Sequence, residues 1–280
     1  MMEGPEGDLD KAVRLAGLRA MLRRLEQGSV AADRPPLVFG LPSIDDALGG
    51  GLSLGCLHEI VAAVEGDDAA TGFCAALLGR LAADSKPILW IGHELYAPGL
   101  LAFGLDPGRL ITVDPSRPAD RLTAMEEGMR CSALAAVLCE SDLLDLTAGR
   151  RLQLAAEAHG VTGLLLCRQP PPSAGQGTGR ASAAVTRWRI AAAPSAARRV
   201  GSAQGSSGGS VGGPPLLGRP RWRVELLRCR GGRTGEWLVE WRDETGDFAL
   251  AAALCDGSAA PARNDILQWD IARQAADGTG

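Results

Sequence analysis

Between Leu37 and Cys167 the chain alternates short, unbroken apolar runs with longer stretches of helical periodicity. The runs are Cys56–Ala62 (CLHEIVA), Ile88–Ile91, Leu110–Val113, Leu134–Cys139 and Thr162–Cys167. Helical spacing covers Thr71–Ala83, Ala119–Arg130 and Thr147–Ala158, with a helical turn or two at Tyr96–Phe103. Runs such as AAVLC and GLLLC have no polar face, so they suit strands covered on both sides. Strands spaced by helices pair in parallel. The expectation is an α/β fold with a mostly parallel central sheet flanked by helices. Ser43-Ile-Asp-Asp46 reads as a capping box opening a short helix that the glycines at 49–51 end.

The flanking segments differ in style. Residues 9–27 put Leu15, Leu18, Leu22 and Leu25 on one helical face, so residues 1–36 read as an amphipathic helix and linker. Residues 37–193 form the core. Within it, residues 169–180 (QPPPSAGQGTGR) read as a loop and Val185–Ala191 as a strand. Residues 194–220 contain 16 Gly, Ser or Pro among 27, the composition of a flexible linker. Arg221–Cys229 and Glu236–Trp241 flank RGGRTG as a hairpin that completes the core over 221–255. Residues 256–280 read as a mostly disordered tail.

Several functions are excluded by what the 280 residues lack. There is no run of ~18 apolar residues to span a membrane. The N-terminus shows no basic stretch leading into an apolar core, so the expectation is cytoplasmic. Seven cysteines, none in a CxxC pair, fit reduced thiols better than disulfides or zinc. His58, His93 and His159 sit in separate elements without a GxSxG elbow, and His58-Glu59 lacks the second histidine of HExxH. The acidic pairs Glu126-Glu127 and Asp67-Asp68 diverge on a helix rather than share a face. No catalytic residue, metal ligand or cofactor is expected.

The net charge of −4 hides an asymmetry. Arg180–Gly235 holds eleven arginines against one acid, Glu225, which leaves 18 basic and 32 acidic groups elsewhere. Such a segment can attract nucleic acid or an acidic partner, or simply keep a linker solvated. Arg168, Arg180, Arg187, Arg198, Arg199 and Arg219 are the nucleic-acid candidates. Weak, sequence-independent binding is the expectation. Four of the six tryptophans lie in the hairpin and tail. Trp237, Trp241 and Trp269 are the partner-interface candidates, because tryptophan is enriched among hot spots. The competing reading has these rings covering the end of the sheet within the monomer.

The loop after the first strand is where an α/β sheet would hold phosphate. Here it reads Val64-Glu-Gly-Asp-Asp-Ala-Ala-Thr-Gly72. A working P-loop needs a lysine for the terminal phosphates and a hydroxyl for magnesium. Glu65, Asp67 and Asp68 stand there instead, beside Gly66, Thr71 and Gly72, and there is no lysine. A carboxylate ~4–5 Å from a phosphate is repulsive by several kcal/mol at an effective dielectric of about 20. Thr71 is the remnant of a degenerate P-loop.

The opening LPSIDDALGGGLSLGCLHEI is similar to the entry of RecA-type ATPase cores. The phrases LYAPGLLAFGLDPGRLITV, AMEEGMRC, LDLTAGRRLQLAAEAHGVTGLLL, TRWRIAAAPS and RWRVELLRCRGG, in this order, resemble the ImuA family of bacterial damage-induced mutagenesis cassettes. The resemblance spans about Leu37 to Leu250. It implies a RecA-like core, a cytoplasmic location and a place in the damage-inducible SOS response and translesion synthesis, while the lysine-free loop leaves no activity expected. It also implies ImuB, a Y-family polymerase relative, as partner, with an error-prone C-family DNA polymerase reached through the complex and RecA as a further contact. Overlaying RecA on Phe103-Gly-Leu-Asp106 sets its catalytic glutamate at Gly92, two residues from Glu94, and leaves Glu140 to mimic a Walker B acid. The alternatives to an adaptor are a DNA-binding accessory using the arginine-rich segment, or a divergent ATPase using Thr71, Glu94 and Glu140.

Overall fold

A computed structural model describes residues 34–64, 68–81, 86–93, 95–168, 181–195, 198–199, 215–216 and 218–251. The leucine-striped helix at 9–27 and the tail with Trp269 lie outside them. Nine strands form one sheet in the order β11-β10-β9-β6-β1-β5-β4-β2-β3. The parallel part comprises β1 (Leu57–Ala62), β2 (Ile88–Ile91), β3 (Leu110–Val113), β4 (Ala136–Glu140), β5 (Thr162–Cys167) and β6 (Thr186–Ala192). β9 (Arg221–Cys229), β10 (Gly235–Arg242) and β11 (Asp247–Leu250) add to β6 in antiparallel fashion. A separate two-residue ladder, β7 (Arg198–Arg199) with β8 (Pro215–Leu216), lies inside the stretch whose composition reads as a linker.

The helices are α1 (Pro42–Leu48), α2 (Ala69–Leu81), the single turn α3 (Ala97–Leu100), α4 (Pro118–Met129) and α5 (Leu146–His159). Two apolar layers result, one on each face of the sheet. In the first, Phe73, Cys74, Leu77 and Leu78 of α2 pack on Ile60, Leu138, Leu164, Trp188 and Val224. In the second, Met125 and Met129 of α4 and Leu152, Ala155 and Ala156 of α5 pack on Leu57, Val61, Val137 and Leu165. Successive residues of β1, β4 and β5 alternate between the layers, which is why those strands read as continuous apolar runs.

The start of α1 differs from the capping box. Leu41 is its N-cap without a side-chain bond and Pro42 opens the helix. Asp45 reaches back instead, accepting from the amides of Phe39 (2.7 Å), Gly40 (3.0 Å) and Leu41 (3.1 Å). Proline at the first helical position needs no amide partner, so the acid one turn later secures the preceding chain.

The antiparallel strands are fixed by aromatic rings. Trp241, only 1% exposed, packs edge-on to Phe248 with centroids 5.1 Å apart and donates its indole N–H to the Ala102 carbonyl at 2.7 Å. Ala102 and Phe103 belong to the connection between β2 and β3, which crosses α2 at Gly79. A Cβ at Gly79 would lie 2.3 Å from the Phe103 carbonyl oxygen, so only glycine admits that approach. Trp241→Ala is expected to cost about 3–5 kcal/mol in denaturant unfolding, because it empties a large buried site and orphans that carbonyl.

His58 lies in the α2 layer. Its Nε2–H donates to the Ser53 carbonyl (2.8 Å), while Nδ1 pairs with the Thr186 hydroxyl (2.7 Å), itself the acceptor of the Trp188 indole N–H (2.7 Å). Burial pulls its pKa down from 6.5 to about 4, against an opposing effect of the Ser53 carbonyl. The native state thus resists protonation and the unfolded chain does not. Stability should fall as pH drops from about 6.5 to 4, by about 3 kcal/mol, and level off below. His58→Gln should flatten that limb in urea titrations across pH.

Candidate functional site

At the carboxyl ends of the parallel strands, where open α/β sheets present their ligand crevice, a cavity of about 270 Å³ opens. It is lined by His93, Pro118, Arg121, Glu140, Ser141, Asp142, Leu166 and Arg168. Its centre is Glu140, the last residue of β4, whose carboxylate is 3% exposed. Three donors meet it: the Trp90 indole N–H at 3.3 Å, His93 Nδ1 at 2.8 Å and Arg168 Nη1 at 3.4 Å. Arg168, just past β5, also donates through Nη2 to Asp68, just ahead of α2. Four strand-end loops, those after β1, β2, β4 and β5, are thereby tied into one polar chain.

The geometry decides what position 92 can hold. A Cβ on Gly92 would fall 2.6 Å from Cδ and 2.9 Å from Oε1 of Glu140. A side chain at this position would have to displace the Glu140 carboxylate from the place it occupies here. Glu94 lies outside the described residues.

The segment 64–72, where a degenerate P-loop is expected, is described in part, since Glu65, Gly66 and Asp67 lie outside the described residues. Asp68 faces solvent and holds Arg168. Thr71 sits in the first turn of α2 with a buried hydroxyl that has no hydrogen-bond partner among the described residues. Gly72 donates its amide to the Asp68 carbonyl at 3.0 Å, and a Cβ on it would stand 3.2 Å from the Phe103 ring. That glycine faces aromatic rings. Among the described residues no cluster of three or more His, Cys, Asp or Glu could hold a metal ion.

The arginine candidates divide. Arg187 is not a surface contact: it is 3% exposed, and its Nε donates at 2.5 Å to Glu59, 2% exposed, on the neighbouring strand. Glu59 and Arg187 are partners in the β1–β6 register, and the Ser182 hydroxyl caps the other carboxylate oxygen at 2.7 Å. Arg219 is held by Glu244 (2.7 Å) and Glu240 (3.4 Å), and it draws the Glu244 carboxyl well below the usual range, to about 2. Arg221 pairs with Glu240 at 2.6 Å, Arg189 with Glu225 at 3.2 Å and Arg223 with Glu236 at 3.6 Å. Arg228 and Arg230 donate to the carbonyls of Ser182 and Ala183. Glutamates at 236, 240 and 244, just past the segment's end, thus pair with Arg219, Arg221 and Arg223. Arg198 and Arg199 lie in β7, and Arg180 lies outside the described residues.

The tryptophan candidates are corrected in the same way. Trp241 is a core residue, so it cannot anchor a partner. Trp237, half-buried on the same face, packs against the same apolar layer. Burial of these rings follows from the sheet's need for a cover on its α2 face. Exposed apolar side chains include Ile111 (48%) and Val113 (38%) on β3, Tyr96 and Leu101 on the connection before it, and Leu250 (50%) on β11 at the other edge. β3 ends the sheet, and every residue after Leu110 in it is exposed.

Sequence reasoning missed the Glu59–Arg187 pair and the convergence on Glu140. A signal existed for the first, since a glutamate inside the apolar run CLHEIVA demands a buried counter-charge. Gly92→Ala is expected to be overpacked by about 1–3 kcal/mol. Combined with Glu140→Ala the penalty should shrink, a coupling that a double-mutant cycle in urea would measure.

Two curated relatives align with the chain. Protein ImuA of Caulobacter vibrioides, strain NA1000 / CB15N, is 40% identical over 247 residues, covering 81% of this chain and 93% of the relative. Protein ImuA of strain ATCC 19089 / CIP 103742 / CB 15 gives the same identity and coverage. No family model matches.

Proposed function

Because the chain belongs to the ImuA family, we propose that it is a non-catalytic, RecA-like adaptor of an error-prone translesion-synthesis complex in the bacterial damage response. Its partner in this reading is an ImuB-type Y-family polymerase relative, with an error-prone C-family polymerase reached through the complex, in the cytoplasm. Family membership carries the proposal. The chemistry at the strand ends supports its non-catalytic part. Asp68 stands at the start of α2 and repels phosphate, the Gly72 amide is engaged within the helix, and a carboxylate at position 92 would have to displace Glu140. The DNA-accessory reading is weakened because most described arginines of the basic segment are paired or buried.

The partner contact in this reading is the open edge of β3. An edge strand presents unpaired backbone N–H and C=O groups, and Leu-Ile-Thr-Val carries no charge or proline to block pairing. An extended segment of the partner would add as a further strand, its side chains meeting the exposed Ile111 and Val113. Such a contact leaves the buried tryptophans in place. It also makes a truncation at residue 236 uninformative, since that cut removes β10, β11 and Trp241 from the core.

The test is co-purification with the ImuB encoded beside it. Ile111→Lys with Val113→Lys should lower capture about tenfold or more while the melting temperature and circular dichroism stay those of the wild type. Wild-type protein should hydrolyse no ATP above background. Undiminished capture would remove β3 as the contact. Magnesium-dependent hydrolysis lost in Thr71→Ala would overturn the non-catalytic reading.

A further inference from the structure

A buried carboxylate either pairs with a cation or takes up a proton. Glu140 is such a group, and two of its donors, the Trp90 indole and the His93 imidazole, need carry no charge. The other arginine on the cavity, Arg121, is engaged with the Pro115 carbonyl at 3.1 Å and with Asp114 at 2.9 Å. Arg168 is thus the permanent cation in contact with Glu140. It is also the one that spans to Asp68, on the opposite side of the strand ends. Its side chain is 37% exposed, whereas that of Asp68 is 73% exposed, so the inner bond to Glu140 is the shielded one.

We propose that Arg168 is an internal cation that stands in for a bound ligand at the carboxyl end of the sheet. It pairs with the buried Glu140 side chain and ties Asp68, which follows β1, to the end of β4. Removal of its guanidinium leaves a site for a small organic cation between Asp68 and Glu140. This inference rests on the non-catalytic reading, since it assigns to the chain itself the charge that a ligand would otherwise bring.

Thermal melting of the full chain tests it, with methylguanidinium chloride at low millimolar concentration as the probe. The wild-type melting temperature should not respond to the probe. Arg168→Ala should melt roughly 5 °C lower, and methylguanidinium should restore at least half of that loss. Glu140→Gln in the Arg168→Ala background should raise the melting temperature above that of Arg168→Ala alone and abolish the response, because the orphaned carboxylate is gone. Arg168→Lys should keep most of the wild-type value. Three outcomes would each overturn the inference: an Arg168→Ala protein as stable as the wild type, no recovery with the probe, or a double variant no more stable than the single one. If Arg168→Ala does not fold, the double variant and Arg168→Lys decide alone: folding of both supports the inference and failure of either overturns it. ATP hydrolysis by the wild type would sink the adaptor reading while leaving these comparisons of melting temperature intact.

Discussion

The fold depends on one aromatic cluster. All four phenylalanines and three of the six tryptophans form a continuous set of ring contacts through Phe39, Phe73, Phe103, Phe248, Trp188, Trp222 and Trp241. These rings come from the strap before α1, from α2, from the connection before β3, and from β6, β9, β10 and β11. Each buries about 150–250 Å², which at ~25 cal/mol per Å² is roughly 4–6 kcal/mol of apolar burial. The ion pairs on the other face of β9 and β10 are partly exposed, and such pairs contribute about 0–1 kcal/mol each. The rings therefore decide where the antiparallel strands sit, and the ion pairs follow.

Two buried carboxylates set the remaining constraints, and both are met by arginine from a neighbouring strand or its end. Glu59 and Arg187 are register partners in the middle of the sheet. A slip of one residue between β1 and β6 would press Glu59 against apolar side chains and turn Arg187 into the α2 layer. Glu140 works on loops rather than register: it gathers Trp90, His93 and Arg168, and through Arg168 reaches Asp68. The buried thiols take no part in this chemistry. Burial pushes Cys139 up to about 12, and pushes Cys56, Cys74 and Cys167 higher still.

The parallel strands and their helices could be read from the sequence because their signal is local. Runs such as GLLLC admit few other placements, and β2, β3 and β5 fall where the apolar runs put them. The start of α1 was misread because Asp45 caps backward, a choice that Pro42 makes available and that no spacing rule reveals. For Trp241 the sequence left two readings open, and burial decides for the one in which the ring covers the sheet. Trp237 and Trp241, four residues apart on one strand, share a face, but whether that face meets solvent depends on α2 and on the crossing at Gly79, both distant in sequence. The convergence on Glu140 was illegible for the same cause, since residues 90, 93, 140 and 168 meet only once the strand order is known.

Charge is where local reading misleads most. Counted along the chain, Arg180–Gly235 is strongly basic, yet the strand after it sets Glu240 opposite Arg221 and brings Glu236 diagonally to Arg223 across the β9–β10 ladder. Cross-strand pairing engages Arg189, Arg221 and Arg223 with carboxylates, and counterion release from DNA needs unpaired cations. With the described arginines largely matched and the described tryptophans inside or against the core, little side-chain chemistry remains to recognise a large partner. Backbone groups do remain, along the edge of β3. In the proposed adaptor reading, that edge offers the hydrogen-bonding of an open strand, with Ile111 and Val113 as its exposed apolar side chains.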